Sequence, residues 1–244
     1  MVKESNRASK ITLILSLGVL AVAIVAALVI FFLPAGNQAT TPDVAATASP
    51  APALSTPTAD AGGIGCKAPP SDDRKVPLDL RWAAVDGVAW PVSDSTGPTA
   101  TTDGFPACFE HSPVGAALAA VTFLYSQVDH TPLDTTQFYV ADSPGKDVFL
   151  EQLKGNPPSE LKESIESNGV TIVGFQVEEY DGDRAMVRVV LRFPGSATGQ
   201  RGLPFPMVWA DGDWKVKPLD TGSTGQATDV GPTEYTSWTA VGSG

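Results

Sequence analysis

Apolar positions along this chain fall into three regimes: one unbroken block, then a stretch with almost none, then alternating or helical spacing to the end. The block runs from Ile11 to Leu33, ITLILSLGVLAVAIVAALVIFFL, and holds no charged residue. A helix of about 20 apolar residues crosses a bilayer core with every backbone group paired internally, so a single transmembrane helix is expected over 11–33. The polar stretch, 34–65, is Ala, Thr, Ser, Pro, Asp and Gly, and Pro42, Pro50, Pro52 and Pro57 oppose helix. It reads as an extended, disordered linker.

Beyond the linker the spacing is that of a folded α+β domain, expected over 66–240. Leu80, Trp82 and Ala84 alternate with small or polar neighbours, and Asp86-Gly87 leads into Val88-Ala89-Trp90-Pro91-Val92, a hairpin signal. Pro91 lacks an N–H, so the second strand is expected to be an edge or to end early. Ser112-Pro113 then opens an uncharged helix, with Val114, Leu118, Val121, Tyr125 and Val128 at helical spacing. Gly115, Ala116, Ala119 and Ala120 thin one side of it, so burial nearly all round is expected. A second membrane span is the alternative, disfavoured by its length. Short helices are expected over 133–139 and 147–154, and an amphipathic one over 159–168 with Gly169 at its C-terminus.

Period-2 alternation takes over afterwards. Val173, Phe175 and Val177 are expected on one face of a strand, and Val187, Val189, Leu191 and Phe193 on one face of the next, with Arg188 and Arg192 opposite. Leu203, Phe205, Met207 and Trp209 follow the same rule, then Trp214 and Val216, with Lys215 and Lys217 outward. The triplets Asp181-Gly182-Asp183 and Asp211-Gly212-Asp213 sit where hairpins must turn; they lack the further carboxylates of a calcium loop. The fold expected is helices packed on a curved antiparallel sheet, with Trp82, Trp209 and Trp214 in its core. Tyr235 and Trp238 give the Gly/Ser-rich tail an anchor back onto the domain.

Charge sets the orientation. Lys3, Arg7 and Lys10 precede the apolar block, and no Lys or Arg follows it until Lys67. Positive-inside bias places residues 1–10 in the cytoplasm and 66–240 outside the cell membrane. A cleavable signal peptide has the same basic head, but its apolar run is typically about 7–15 residues, which favours the retained anchor. The head holds three of the 16 basic and one of the 27 acidic residues, leaving 13 against 26 beyond it. That excess disfavours direct nucleic-acid binding, which cationic side chains drive.

Two cysteines, Cys66 and Cys108, lie on the external side, where one disulfide between them is expected. A lipid anchor at Cys66 would want its recognition box beside the apolar block, and two isolated cysteines make no zinc site. No Gly-x-Ser-x-Gly elbow, phosphate loop or His-x-x-x-His pair occurs. His111 and His130 are the two histidines, and His111, beside the expected helix cap, reads as structural. The sequence therefore points to no catalytic residue, metal or cofactor. If a pocket lies between helix and sheet, its candidate residues are Glu110, His111, Tyr125 and Asp129.

The segments GCK, VDGVAWPVSDSTGP and CFEHSPVGAALAA, placed after an anchor and a Pro/Thr-rich stalk, resemble a family of uncharacterised actinobacterial membrane proteins of integrative and conjugative elements. The element order is also similar to that of bitopic type IV secretion assembly factors, whose external domains resemble the nuclear transport factor 2 fold; a cystatin-like cone is the related form. These resemblances imply a non-catalytic, membrane-anchored component of a conjugative transfer apparatus that works through protein contacts. The alternative is an external small-ligand binding module or enzyme. The edge near Trp90 and Pro91, or the aromatics of the last hairpin, would be the contact surface.

Overall fold

The computed structural model of the chain describes residues 66, 69–85, 87–154, 169–194 and 199–239. The expected anchor, linker and helix over 159–168 lie outside the described residues, as does Asp86. Two small hairpins come first: β1 (Arg81–Val85) with β2 (Val88–Val92), and β3 (Ala100–Thr102) with β4 (Phe105–Ala107). Three helices follow, α1 (Pro113–Asp129), α2 (Pro132–Tyr139) and α3 (Pro144–Leu153). Each starts at the same kind of signal. Ser112, Thr131 and Ser143 accept from the backbone N–H three residues on, and a proline occupies the next position, where a missing N–H costs nothing. Among the described residues no helix is long and apolar enough to cross a membrane.

The main sheet is antiparallel. It contains β5 (Thr171–Tyr180), β6 (Arg184–Arg192), β7 (Gln200–Ala210) and β8 (Asp213–Val216) in sequence order, with β9 (Thr228–Asp229) beside β7 and β10 (Thr236–Ser237) beside β5. Both Asp-Gly-Asp triplets turn hairpins as expected, β5–β6 and β7–β8. The inner face presents Val187, Val189 and Leu191 of β6 against Phe205, Leu203 and their neighbours of β7, and Trp214 and Val216 return on the same face. Helix α1 lies against this face and is buried from Pro113 to Ser126, with the β1–β2 hairpin on its other side. That two-sided burial follows from its lack of charge and its small residues: a Cβ on Gly115 would sit 2.0 Å from the Glu110 carbonyl.

Three expectations need correction. Strand β5 carries irregularities between Ile172 and Gly174 and between Val177 and Glu179, so Ile172 joins Phe175 in the core where simple alternation selects Val173. Lys215 is buried, because α2 covers that end of β8 and offers it the Phe138 carbonyl at 2.9 Å. Trp82 is 47% exposed and outside the core; its strand belongs to a two-stranded hairpin separate from the main sheet. In this two-stranded hairpin β2 is an edge strand, as Pro91 indicates, and β1 is the other edge; the Pro91 ring itself is buried.

The C-terminal segment crosses the outer face of the sheet from β7 to β5. Val230 lies over Gly202 and the Tyr235 ring over Gly174, two positions where a Cβ would meet the strap at 2.9 and 2.2 Å. Trp238 ends the crossing, fully buried and stacked on Phe175 at 4.2 Å. The tail thus packs back through the residues its aromatics indicate.

Candidate functional site

A dense polar centre lies where β4 runs into α1. Cys108 carries a left-handed backbone, φ 66°, and its sulfur is bonded to Cys66, 42 residues earlier. That turn is held by Asp213 of β8, whose carboxylate accepts the N–H groups of Cys108 at 2.8 Å, Phe109 at 3.1 Å and Trp214 at 2.9 Å. Burial pushes the Asp213 carboxyl above its ordinary range, and these three donors work against that shift. Lys215, two residues along β8, is pushed down by burial and supported by the Asp213 charge; its ammonium also lies 4.4 Å from the centre of the Phe138 ring.

Glu110 and His111 belong to the same junction. A Glu110 carboxylate oxygen accepts from the Ser71 hydroxyl at 3.0 Å, and the Glu110 carbonyl accepts from the Trp214 indole at 3.0 Å. The His111 ring stacks on Trp209, with centres 3.9 Å apart and planes 7° apart, and meets Trp214 edge-on. Its Nε2 lies 2.9 Å from the Gly182 carbonyl and 3.3 Å from an Asp183 carboxylate oxygen. A carbonyl only accepts, so Nε2 carries a hydrogen. The first Asp-Gly-Asp turn is thereby tied to the start of α1.

Tyr125 and Asp129 sit at the opposite end of α1, roughly 21 and 27 Å from His111 at 1.5 Å per helical residue. Tyr125 stacks on Trp90 at 5.7 Å, and burial pushes its hydroxyl up to about 12. Both residues border a cavity of about 20 Å³ closed by Val88, Trp90 and His130, the size of one water. The four candidate pocket residues are thus divided between two ends of one helix. Where a ligand would lie between α1 and the sheet, Phe123, Phe175, Phe205, Trp214 and Trp238 fill the space.

Two wider concavities are open surface grooves. One, of about 590 Å³, runs over Met186, Val208 and Lys217 on the outer face; the other, of about 650 Å³, lies between the two small hairpins beside Ala83, Trp90 and Thr99. Among the described residues no group of three or more His, Cys, Asp or Glu is arranged to hold a metal ion. The buried Asp213–Lys215 pair escapes sequence reasoning, because one sits in a turn triplet and the other at a position that alternation assigns to solvent.

The same span, with its cysteine pair and Cys-Phe-Glu-His-Ser-Pro junction, is what comparison with known families recovers: residues 42–240 match the model of a domain of unknown function, DUF8175. The chain belongs to this family. Its DUF8175 domain takes in every described element, from β1 to β10. No curated protein and no solved structure matches the chain.

Proposed function

We propose that this protein is a non-catalytic component of a conjugative, type IV secretion-like apparatus, anchored by one N-terminal span and acting through protein contacts of its external DUF8175 domain. In this reading the sheet wrapped on α1 is a cone of the nuclear transport factor 2 or cystatin kind, and the chain is one of the actinobacterial membrane proteins of conjugative elements that it resembles. The observation that carries the contact role is the placement of Trp82. It is a large apolar side chain, 47% exposed, on a strand whose second edge no described element covers. Single exposed apolar residues are ordinary, but one on a bare strand edge is positioned for a partner. The aromatic filling of the space under the sheet also favours scaffolding over ligand binding.

The test is crosslinking inside the cell, with photoreactive residues placed along β1 in the native membrane. Attachment of channel or coupling subunits supports the reading. Recovery of no protein from any β1 position contradicts it.

A further inference from the structure

We propose that β1 pairs with β1 of a second copy of this chain, antiparallel and centred on Ala83, so that two β1–β2 hairpins join in one four-stranded sheet. The chain covers both edges of its main sheet. The edge of β5 is occupied by β10, and further along by Arg74, whose guanidinium donates to the Val177 carbonyl at 3.1 Å. The edge of β8 is occupied by Ala141, whose N–H donates to the Val216 carbonyl at 2.9 Å. Among the described residues β1 has no such cover, and the sequence RWAAV carries neither the proline nor the bulge that usually protects an edge.

Register makes this edge self-complementary. The β1–β2 ladder closes on Val85 opposite Val88, and a two-residue turn bonds its closing pair. Bonded pairs then alternate along the ladder, so Arg81, Ala83 and Val85 face β2, while the N–H and C=O of Trp82 and Ala84 point to the open edge. Pro91 stands opposite Trp82, at a non-bonded position, which is why the strand tolerates it. Two-fold pairing keeps each residue on its own face, and centring on Ala83 sets Trp82 opposite Ala84 of the second copy. Both outward-directed residues are then bonded, and a large side chain meets a small one, twice.

The face these residues share is apolar, because Trp82 and Ala84 stand beside Pro91 and Ala89 on β2. Charge does not oppose the approach. Residues 74–92 carry Arg74, Lys75 and Arg81 against Asp79 and Asp86, in a chain whose formal charge is -11. A five-residue edge is smaller than a standard interface, so the contact is weak between free domains and gains from confinement of both copies to one membrane.

This inference supplies one partner for the contact role proposed above and is tested apart from it. Ala83 is the one β1 residue that meets its own copy, at a Cα separation of about 4.5 Å, within disulfide reach. Full-length chains with Ala83→Cys, Ala84→Cys or Ala89→Cys are oxidised in membranes, and dimer yield is read with the bonded cysteines mapped by mass. The expected result is a dimer of Ala83→Cys, joined through the two introduced thiols, in yield several-fold above the other two variants and reduced when Ala84→Trp is added. Equal yields at the three positions, or no dimer at Ala83→Cys, overturn the pairing. Attachment of a different protein there also overturns it, while leaving the contact role intact.

Discussion

The carboxylate of Asp213 and the backbone N–H of Cys108 are joined at 2.8 Å across 105 residues of chain. This bond fastens the last hairpin of the main sheet to the left-handed turn that carries the disulfide and leads into α1. A buried carboxylate is costly unless its oxygens are satisfied, and here three backbone donors satisfy it.

Substitution of Asp213 should therefore destabilise far more than substitution of its cationic neighbour. Asp213→Ala strands three buried N–H groups and removes the more strongly acting of the two carboxylates that support Lys215, a loss of about 3–5 kcal/mol. Asp213→Asn keeps the shape but turns an amide donor toward one of the N–H groups, costing about 1–3 kcal/mol. Lys215→Met removes a desolvated ammonium while Asp213 keeps its donors, and should cost about 1 kcal/mol or less. Urea unfolding of the DUF8175 domain gives the order directly.

Stability should also rise with pH on the alkaline side. The native pKa of Lys215 is lowered by burial, so its contribution is complete above the ordinary lysine value of 10.5 and is lost as pH falls through the native value. The wild type should gain on Lys215→Met between those two points. Asp213 acts in the other direction at low pH: its native pKa is raised, so its contribution is complete below the ordinary value of 3.8 and is lost as pH rises through the native one. Unfolding midpoints of wild type and Lys215→Met, compared across alkaline pH, check the first of these.

Reduction of the Cys66–Cys108 bond should cost about 4 kcal/mol, the chain-entropy value for a loop of 42 residues. The loss should be felt first in the segment that the bond pins against α1, where the Ser71 N–H donates to the His111 carbonyl at 2.8 Å and the Val114 N–H to that of Asp73 at 3.2 Å. Hydrogen exchange with and without reductant should show residues 69–75 losing protection before β6.

The C-terminal strap should detach when its glycine cradle is filled. A Cβ at Gly174 would meet the Tyr235 ring at 2.2 Å and the Thr236 carbonyl at 2.3 Å, contacts that only movement of the strap relieves. In Gly174→Ala the Trp238 fluorescence should shift to the red, and proteases should cut between 221 and 235 while the sheet remains folded. Trp238→Ala, which empties a fully buried site, should cost about 3–5 kcal/mol.

Much of this architecture can be read from the chain because its signals are local. The Ser112-Pro113 start of α1, its uncharged length, the two Asp-Gly-Asp turns and the alternation of Val187 to Leu191 and Leu203 to Trp209 each depend on neighbours in sequence. The same cap also marks Thr131-Pro132 and Ser143-Pro144, which place the starts of α2 and α3 earlier than hydrophobic spacing does. What alternation misses depends on elements far away. Lys215 is inside because α2 folds over it, and Ile172 is inside because β5 is irregular. Trp82 lies on a hairpin separate from the main sheet, which alternation along β1 does not reveal. For the candidate pocket, Glu110 and His111 are correctly placed beside the helix cap. The helix length that separates them from Tyr125 and Asp129 argues against a shared site.

The account rests most on the claim that this protein serves an assembly by contact. Deleting its gene and measuring both DNA transfer between cells and assembly of the remaining channel subunits tests that claim most directly. The account predicts that transfer collapses, that the channel subunits fail to assemble, and that the full-length chain restores both. Transfer and assembly unchanged by the deletion would contradict it.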